Sequence, residues 1–130
     1  VIVSEVMRHT DTAETADILL PALGWGEKDG TVTNSERRLS RQRAFLPAPG
    51  EAKADWWMLS QVAQRMGFAE AFAYQHPAEI FREHAALSGF ENHGSRAFDI
   101  SGLATLSNEL WQQLEPPDCW PLPLPQQLEL

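Results

Sequence analysis

The sequence predicts an α/β chain with short parallel strands, an irregular glycine-rich loop and about three helices. Three observations carry that expectation. An apolar opening, Val1–Val6, is followed by turn chemistry and a second apolar run, Asp17–Pro21. Strand, short helix and strand in that order form the smallest parallel unit. Beyond Leu20, glycines at 24, 26 and 30 interrupt any regular element. Further on, apolar residues recur at three- and four-residue intervals between proline and glycine boundaries, which is helix patterning. The whole reads as a fragment of a Rossmann-like, doubly wound domain, in which ligands lie beyond the carboxyl ends of the strands.

The elements follow in order. Val1–Val6 is a buried strand closed by Ser4-Glu5, so Glu5 sits at a strand's carboxyl end. His9-Thr10-Asp11-Thr12 caps a short helix, Ala13–Ala16, and Asp17–Pro21 returns as a strand stopped by Pro21. The loop from Pro21 carries Trp25, Glu27 and Asp29. Thr31-Val32-Thr33 is a strand or turn that delivers Asn34, Ser35, Glu36, Arg37 and Arg38. Leu39–Phe45 alternates weakly, with Leu39, Arg41 and Arg43 on one face, and pairs with Thr31–Thr33 through the Asn34–Arg38 turn. After Pro47-Ala48-Pro49-Gly50 a helix runs over about Ala52–Met66, its inward face Trp56, Leu59, Val62, Ala63 and Met66, with Gly67 as its stop. The Trp56-Trp57 pair suits core packing better than a substrate platform. A second helix, Pro77–Ser88, has proline at its first position, Gly89 after its end, and Ile80, Phe81, His84 and Leu87 inward, His84 as a partly buried, satisfied histidine. Gly89–Gly94 is a turn. A third helix starts from Ser107 as N-cap and ends at Leu114, with Leu110, Trp111 and Leu114 on one side. Residues 116–130 hold prolines at 116, 117, 121, 123 and 125 and form a linker.

Composition bounds the chemistry. At 43% apolar and 22% charged over 130 residues, the chain suits one globular domain rather than a disordered segment. A net charge of −8 opposes a general nucleic-acid binder. No apolar run has bilayer length. The one cysteine, Cys119, allows no internal disulfide and suits a reducing, cytoplasmic compartment. His9, His76, His84 and His93 have no metal-ligand spacing with it. Against this acidic background, Arg37, Arg38, Arg41 and Arg43 cluster beside a single acid, Glu36. Such a patch suits a small anion or a buried ion-pair network, because guanidinium forks match phosphate and carboxylate. A glycine-rich surface loop with a solvated Arg/Glu network has the same composition.

Several segments carry a family resemblance. Thr12-Ala13 through Ala16–Ala22, Trp25–Arg38, Pro49–Ala52 and Asp55-Trp56-Trp57 resemble the molybdopterin oxidoreductases. Ile80–Asn92 and Phe98–Leu103 are most similar to that family's bacterial assimilatory nitrate reductases. The likeness runs from about Val1 to Trp120. It implies that residues 1–115 are the later part of a third, cofactor-binding α/β domain within a much longer catalytic subunit, with residues 116–130 leading toward a further domain. It also implies a molybdenum bis-(molybdopterin guanine dinucleotide) cofactor and a [4Fe–4S] cluster in the parent. The cluster cysteines and the molybdenum ligand have no counterpart in these residues, so the segment alone is expected to bind neither and to be inactive. Its expected partners are the rest of the same polypeptide and an electron donor, with no nucleic acid or membrane. By resemblance, Glu5 occupies the place of an acidic residue that binds a guanine end. Asn34, Glu36, Arg37 and Arg38 carry the family's signature near the cofactor crevice. The implied reaction is nitrate reduction. The alternatives are a formate dehydrogenase, or a stand-alone anion- or protein-binding module using the Arg37–Arg43 patch.

Overall fold

The computed structural model describes residues 1–35 and 39–114. Glu36, Arg37 and Arg38, with their part in the anion site or ion-pair network that the patch suits, and the linker over 116–130 lie outside the described residues. The described chain divides into two units: Val1–Asp29 with Arg43–Tyr74, and Gly30–Gln42 with the chain from Gln75 onward.

The first unit is built on parallel pairing. Strand β1 (Ile2–Glu5) runs beside β2 (Ile18–Pro21), with Ile2 opposite Ile18 and Glu5 opposite Pro21. The connection between them is a one-turn helix, α1 (Asp11–Glu14), whose N-cap Thr10 accepts the Ala13 amide through its hydroxyl. That cap places the helix two residues earlier than Ala13–Ala16. Beyond Pro21 the parallel arrangement continues on the other edge of β2. Ala22 bridges to Lys53, the Leu23 amide donates to Lys53 O, and the Lys53 amide donates to Pro21 O. Because Lys53 is held extended in this way, helix α2 begins at Asp55 and spans Asp55–Arg65, rather than starting at Ala52. It ends in a Schellman motif: Phe68 N donates to Ala63 O, Gly67 N donates to Gln64 O, and Gly67 has φ +98°.

The inward face of α2 differs from the sequence expectation. Leu59, Val62 and Met66 are exposed, while Met58 and Ser60 are buried. Ser60 satisfies its hydroxyl on Trp56 O, and Gln64 donates to Phe72 O. Trp56 is half-buried, and Trp57 lies under the Lys53 ammonium. The buried apolar side chains of this unit are Ala13, Ala22, Ala52 and Met58, so its larger apolar residues are mostly outside.

The second unit has a fuller core. Strand β3 (Gly30–Thr33) pairs antiparallel with β4 (Leu39–Gln42), Thr31 opposite Arg41 and Thr33 opposite Leu39. Helix α3 (Pro77–Gly89) lies against β3, and α4 (Asn108–Gln113) follows Ser107, whose hydroxyl accepts the Leu110 amide. Leu39, Ala78, Phe81, Ala85, Ile100 and Trp111 form the core. The face of α3 is therefore Ala78, Phe81, Ala85 and Ser88; of the expected set only Phe81 is buried. Alanines at 78 and 85 let the helix backbone approach its neighbours closely, and this rotation turns Leu87 and His84 outward. His84 stacks on Phe98 instead, with ring centroids 5.7 Å apart. Gly89 belongs to the helix: a Cβ there would lie 2.4 Å from the Ser101 Cβ, so close packing rather than a left-handed stop requires glycine. In α4, Trp111 is fully buried, whereas Leu110 is exposed.

Arg41 follows Leu39 inward. It is 4% exposed, with its guanidinium 3.4 Å from the Trp111 ring centroid. It donates to Gly30 O at 2.9 Å, to Gln42 O, and to Gln112 Oε1 at 3.2 Å. The face of the fully buried indole accepts a cation whose two terminal nitrogens donate to the hairpin and α4. The imidazole of His76 stands edge-on to the same indole and caps α3 by accepting the Ala78 amide. Among the described residues no helix is long and apolar enough to cross a membrane.

Phe81→Ala is expected to lower the unfolding free energy by about 3–5 kcal/mol, since it empties the middle of this core. Urea denaturation checks it.

Candidate functional site

Parallel pairing brings three backbone ends to one side of the first unit: Glu5 of β1, Pro21 of β2 and the Lys53 bridge. In parallel α/β units this is the side at which ligands bind. Glu5 is half-buried, and its Oε1 accepts the Val6 amide at 3.1 Å. Its second carboxylate oxygen takes no hydrogen bond among the described residues, and so keeps acceptor capacity for a donor edge.

The loop that leaves β2 at this end is held at three places. Gly24 N donates to Glu27 Oε2 at 2.6 Å, closing the short 3₁₀ turn Trp25–Glu27. Gly26 O accepts the amides of both Phe45 and Leu46 at 2.9 Å. A side chain at 26 would meet Phe45 and Leu46 at 2.9 Å, so glycine allows that approach. Lys28 Nζ then donates to Asp55 Oδ2 at 2.9 Å, while the Ser4 hydroxyl donates to Asp55 Oδ1 at 2.8 Å. Asp55 is the first residue of α2, where a carboxylate also faces the positive end of the helix. One carboxylate thus ties β1, the loop and α2 together.

Burial pushes the Asp55 carboxyl upward. The hydrogen bonds from Lys28 and Ser4, with the Lys28 charge, outweigh that and leave it below its ordinary value of 3.8. In the second unit, the Asp99 carboxyl is lowered by Ser101, which donates through its hydroxyl and its amide, and by Asn92.

Glu5 belongs to the first unit; Asn34 belongs to the second, exposed at the end of β3. Glu36, Arg37 and Arg38 lie outside the described residues. Within the Arg37–Arg43 run, Arg41 does not face a ligand, because it is buried against Trp111. That is a correction to the module reading, and its cause is alternation: Arg41 shares the inward face of β4 with Leu39. The Ser4–Asp55–Lys28 network escaped sequence reading, since its members are up to 51 positions apart. The available signal was an acid at the first position of a helix following an extended residue. Among the described residues no group of three or more His, Cys, Asp or Glu is placed to hold a metal ion.

Residues 1–65 match the family model described as molybdopterin oxidoreductase. A nitrate reductase of Klebsiella oxytoca is 65% identical over 122 residues, covering 94% of this chain and 14% of the relative. A nitrate reductase of Shewanella frigidimarina is 50% identical over 124 residues, covering 94% of this chain and 13% of the relative. The alpha subunit of F420-dependent formate dehydrogenase 2 from Methanococcus maripaludis is 47% identical over 78 residues, covering 60% of this chain and 12% of the relative. The chain therefore spans about one seventh of the length of the nitrate reductases it matches.

Asp55→Asn tests the tie. A carboxyl whose folded value is depressed stabilises fully above its unfolded value and loses that contribution as pH falls through the folded one. Because Asp55 is half-exposed, the contribution is at most about 1 kcal/mol. Urea midpoints are expected to be lower for Asp55→Asn at pH 7 and to converge with the unsubstituted chain as pH falls through the folded value.

Proposed function

The chain belongs to the molybdopterin oxidoreductase family, and on that premise we propose that it is a cofactor-binding portion of the catalytic subunit of a molybdenum-dependent nitrate reductase. One observation supports this substrate over others. Three relatives named nitrate reductase match 86–94% of the chain, whereas the formate dehydrogenase subunit matches 60%. A formate-oxidising parent is the second reading, supported by the 47% identity within that shorter match.

The described residues fit the organic end of the family's cofactor, in its guanine dinucleotide form, better than its metal. A carboxylate with an open oxygen at a strand's carboxyl end can accept the paired N–H groups of a guanine edge. On this reading Glu5 holds that edge. The Val6 amide fixes the direction of its carboxylate, and the Gly24–Glu27, Gly26–Leu46 and Lys28–Asp55–Ser4 contacts keep the adjoining loop in one shape. By the family signature, Asn34, Glu36, Arg37 and Arg38 are the further candidates for contact with the cofactor in the parent.

When bound, the molybdenum centre supplies oxygen-atom transfer coupled to two electrons: nitrate, two protons and two electrons give nitrite and water. The metal ligand, the [4Fe–4S] cluster and the electron-donor contact belong to the rest of the parent polypeptide, in a cytoplasmic, assimilatory setting. The contribution of these residues is to bind and orient the cofactor.

The longer polypeptide that contains this segment, purified with its cofactor, is expected to reduce nitrate with a reduced viologen and to leave formate untouched. Formate oxidation without nitrate reduction would reverse the assignment. The 130-residue chain alone is expected to carry no stoichiometric molybdenum by elemental analysis and to reduce no nitrate.

A further inference from the structure

Helix α2 presents its apolar side outward. Leu59, Val62 and Met66 are 67%, 48% and 69% exposed, and Phe68 just past the helix end is 55% exposed. Trp56 and Ala63, which flank these side chains, are half-buried, and away from them Met58 and Ser60 are buried and Gln61 and Gln64 half-buried. The inward polar groups are satisfied, Ser60 on Trp56 O and Gln64 on Phe72 O, so this orientation is a consistent one. The spacing 59, 62, 66 is that of a helix face selected for burial.

Resting on the reading that the chain is part of a longer catalytic subunit, we propose that the Leu59–Val62–Met66 face is an intramolecular docking surface. Its occupant is an apolar helix or sheet face supplied by the same polypeptide from outside these 130 residues. Three features favour that occupant. The stripe is a few side chains wide, far below the roughly 20–30 residues a side of a stable interface between separate proteins. Its positions, with Ala63 between them, carry no charge to steer or select an acidic or basic partner. The nitrate reductases that match 94% of the chain are about seven times its length, so ample chain is available at high effective concentration.

Leu59→Cys, labelled with a maleimide and read by mass spectrometry at position 59, tests the proposal. In the 130-residue chain the site should label as fast as in urea. In the folded longer polypeptide it should label at least tenfold more slowly, and equally so on dilution through the range where any dimer dissociates. Glu51→Cys, at an exposed position, serves as the fast-labelling control in both. Equal rates at position 59 in the two proteins would overturn the proposal. So would protection already present in the 130-residue chain, which would assign the cover to these residues, or protection lost on dilution, which would assign it to a second copy. The labelling is read without turnover. A parent that oxidises formate yet protects position 59 therefore removes the nitrate assignment and keeps the docking surface.

Discussion

Parallel pairing of Ile2–Glu5 with Ile18–Pro21 is the constraint on which the first unit depends. Parallel strands cannot be joined by a tight turn, so the chain must leave and return on the same side, and α1 occupies that return. The same geometry sends both carboxyl ends one way and leaves β2 with a second edge for Lys53. Once Lys53 is fixed as extended backbone, the next residues open a helix, and Asp55 falls at its first turn beside Ser4 and Lys28. The ordering of the loop is thus a consequence of strand direction, transmitted through a few backbone hydrogen bonds and one carboxylate.

The second unit solves a different problem. Its hairpin places Arg41 inward, where a guanidinium needs compensation for lost water. The Trp111 ring beneath it, Gly30 O, Gln42 O and Gln112 Oε1 supply that compensation. The arrangement links β3, β4 and α4 through one side chain. It also explains why an arginine-rich run in an acidic chain need not be a ligand patch: its third member is structural.

Much of this was legible in the sequence. Strand positions, Pro77 at the start of α3 and Ser107 as a cap were readable because each rests on local backbone chemistry: apolar runs, a fixed proline φ, a hydroxyl that accepts an amide. Helix starts were less so. Lys53 looks like helix until its bridge to Ala22 is known, and Thr10 outcompeted later residues as the cap of α1. Gly89 read as a stop signal, yet Ser101, twelve residues on, is what requires it. In the candidate site, the position of Glu5 at a strand's carboxyl end was readable from the apolar run before it. Its companions Lys28 and Asp55 were not, because only the fold makes them neighbours.

The two misread helix faces have different causes. In α3 the pattern was ambiguous: large residues at 80, 84 and 87 compete with small ones at 78 and 85, and close approach of backbones favoured the small. In α2 the pattern was clear and the described structure contradicts it. Periodicity records the environment a helix face meets in the whole folded molecule, and the described chain spans about one seventh of the length of the nitrate reductases it matches. On the docking proposal, a face that reads as core but stands in solvent marks where the rest of the polypeptide packs. The buried residues of the first unit, chiefly alanines and Met58, agree. Within the described residues, little of the apolar surface of this unit is withdrawn from water, so the exposed stripe of α2 has no core of its own to join there.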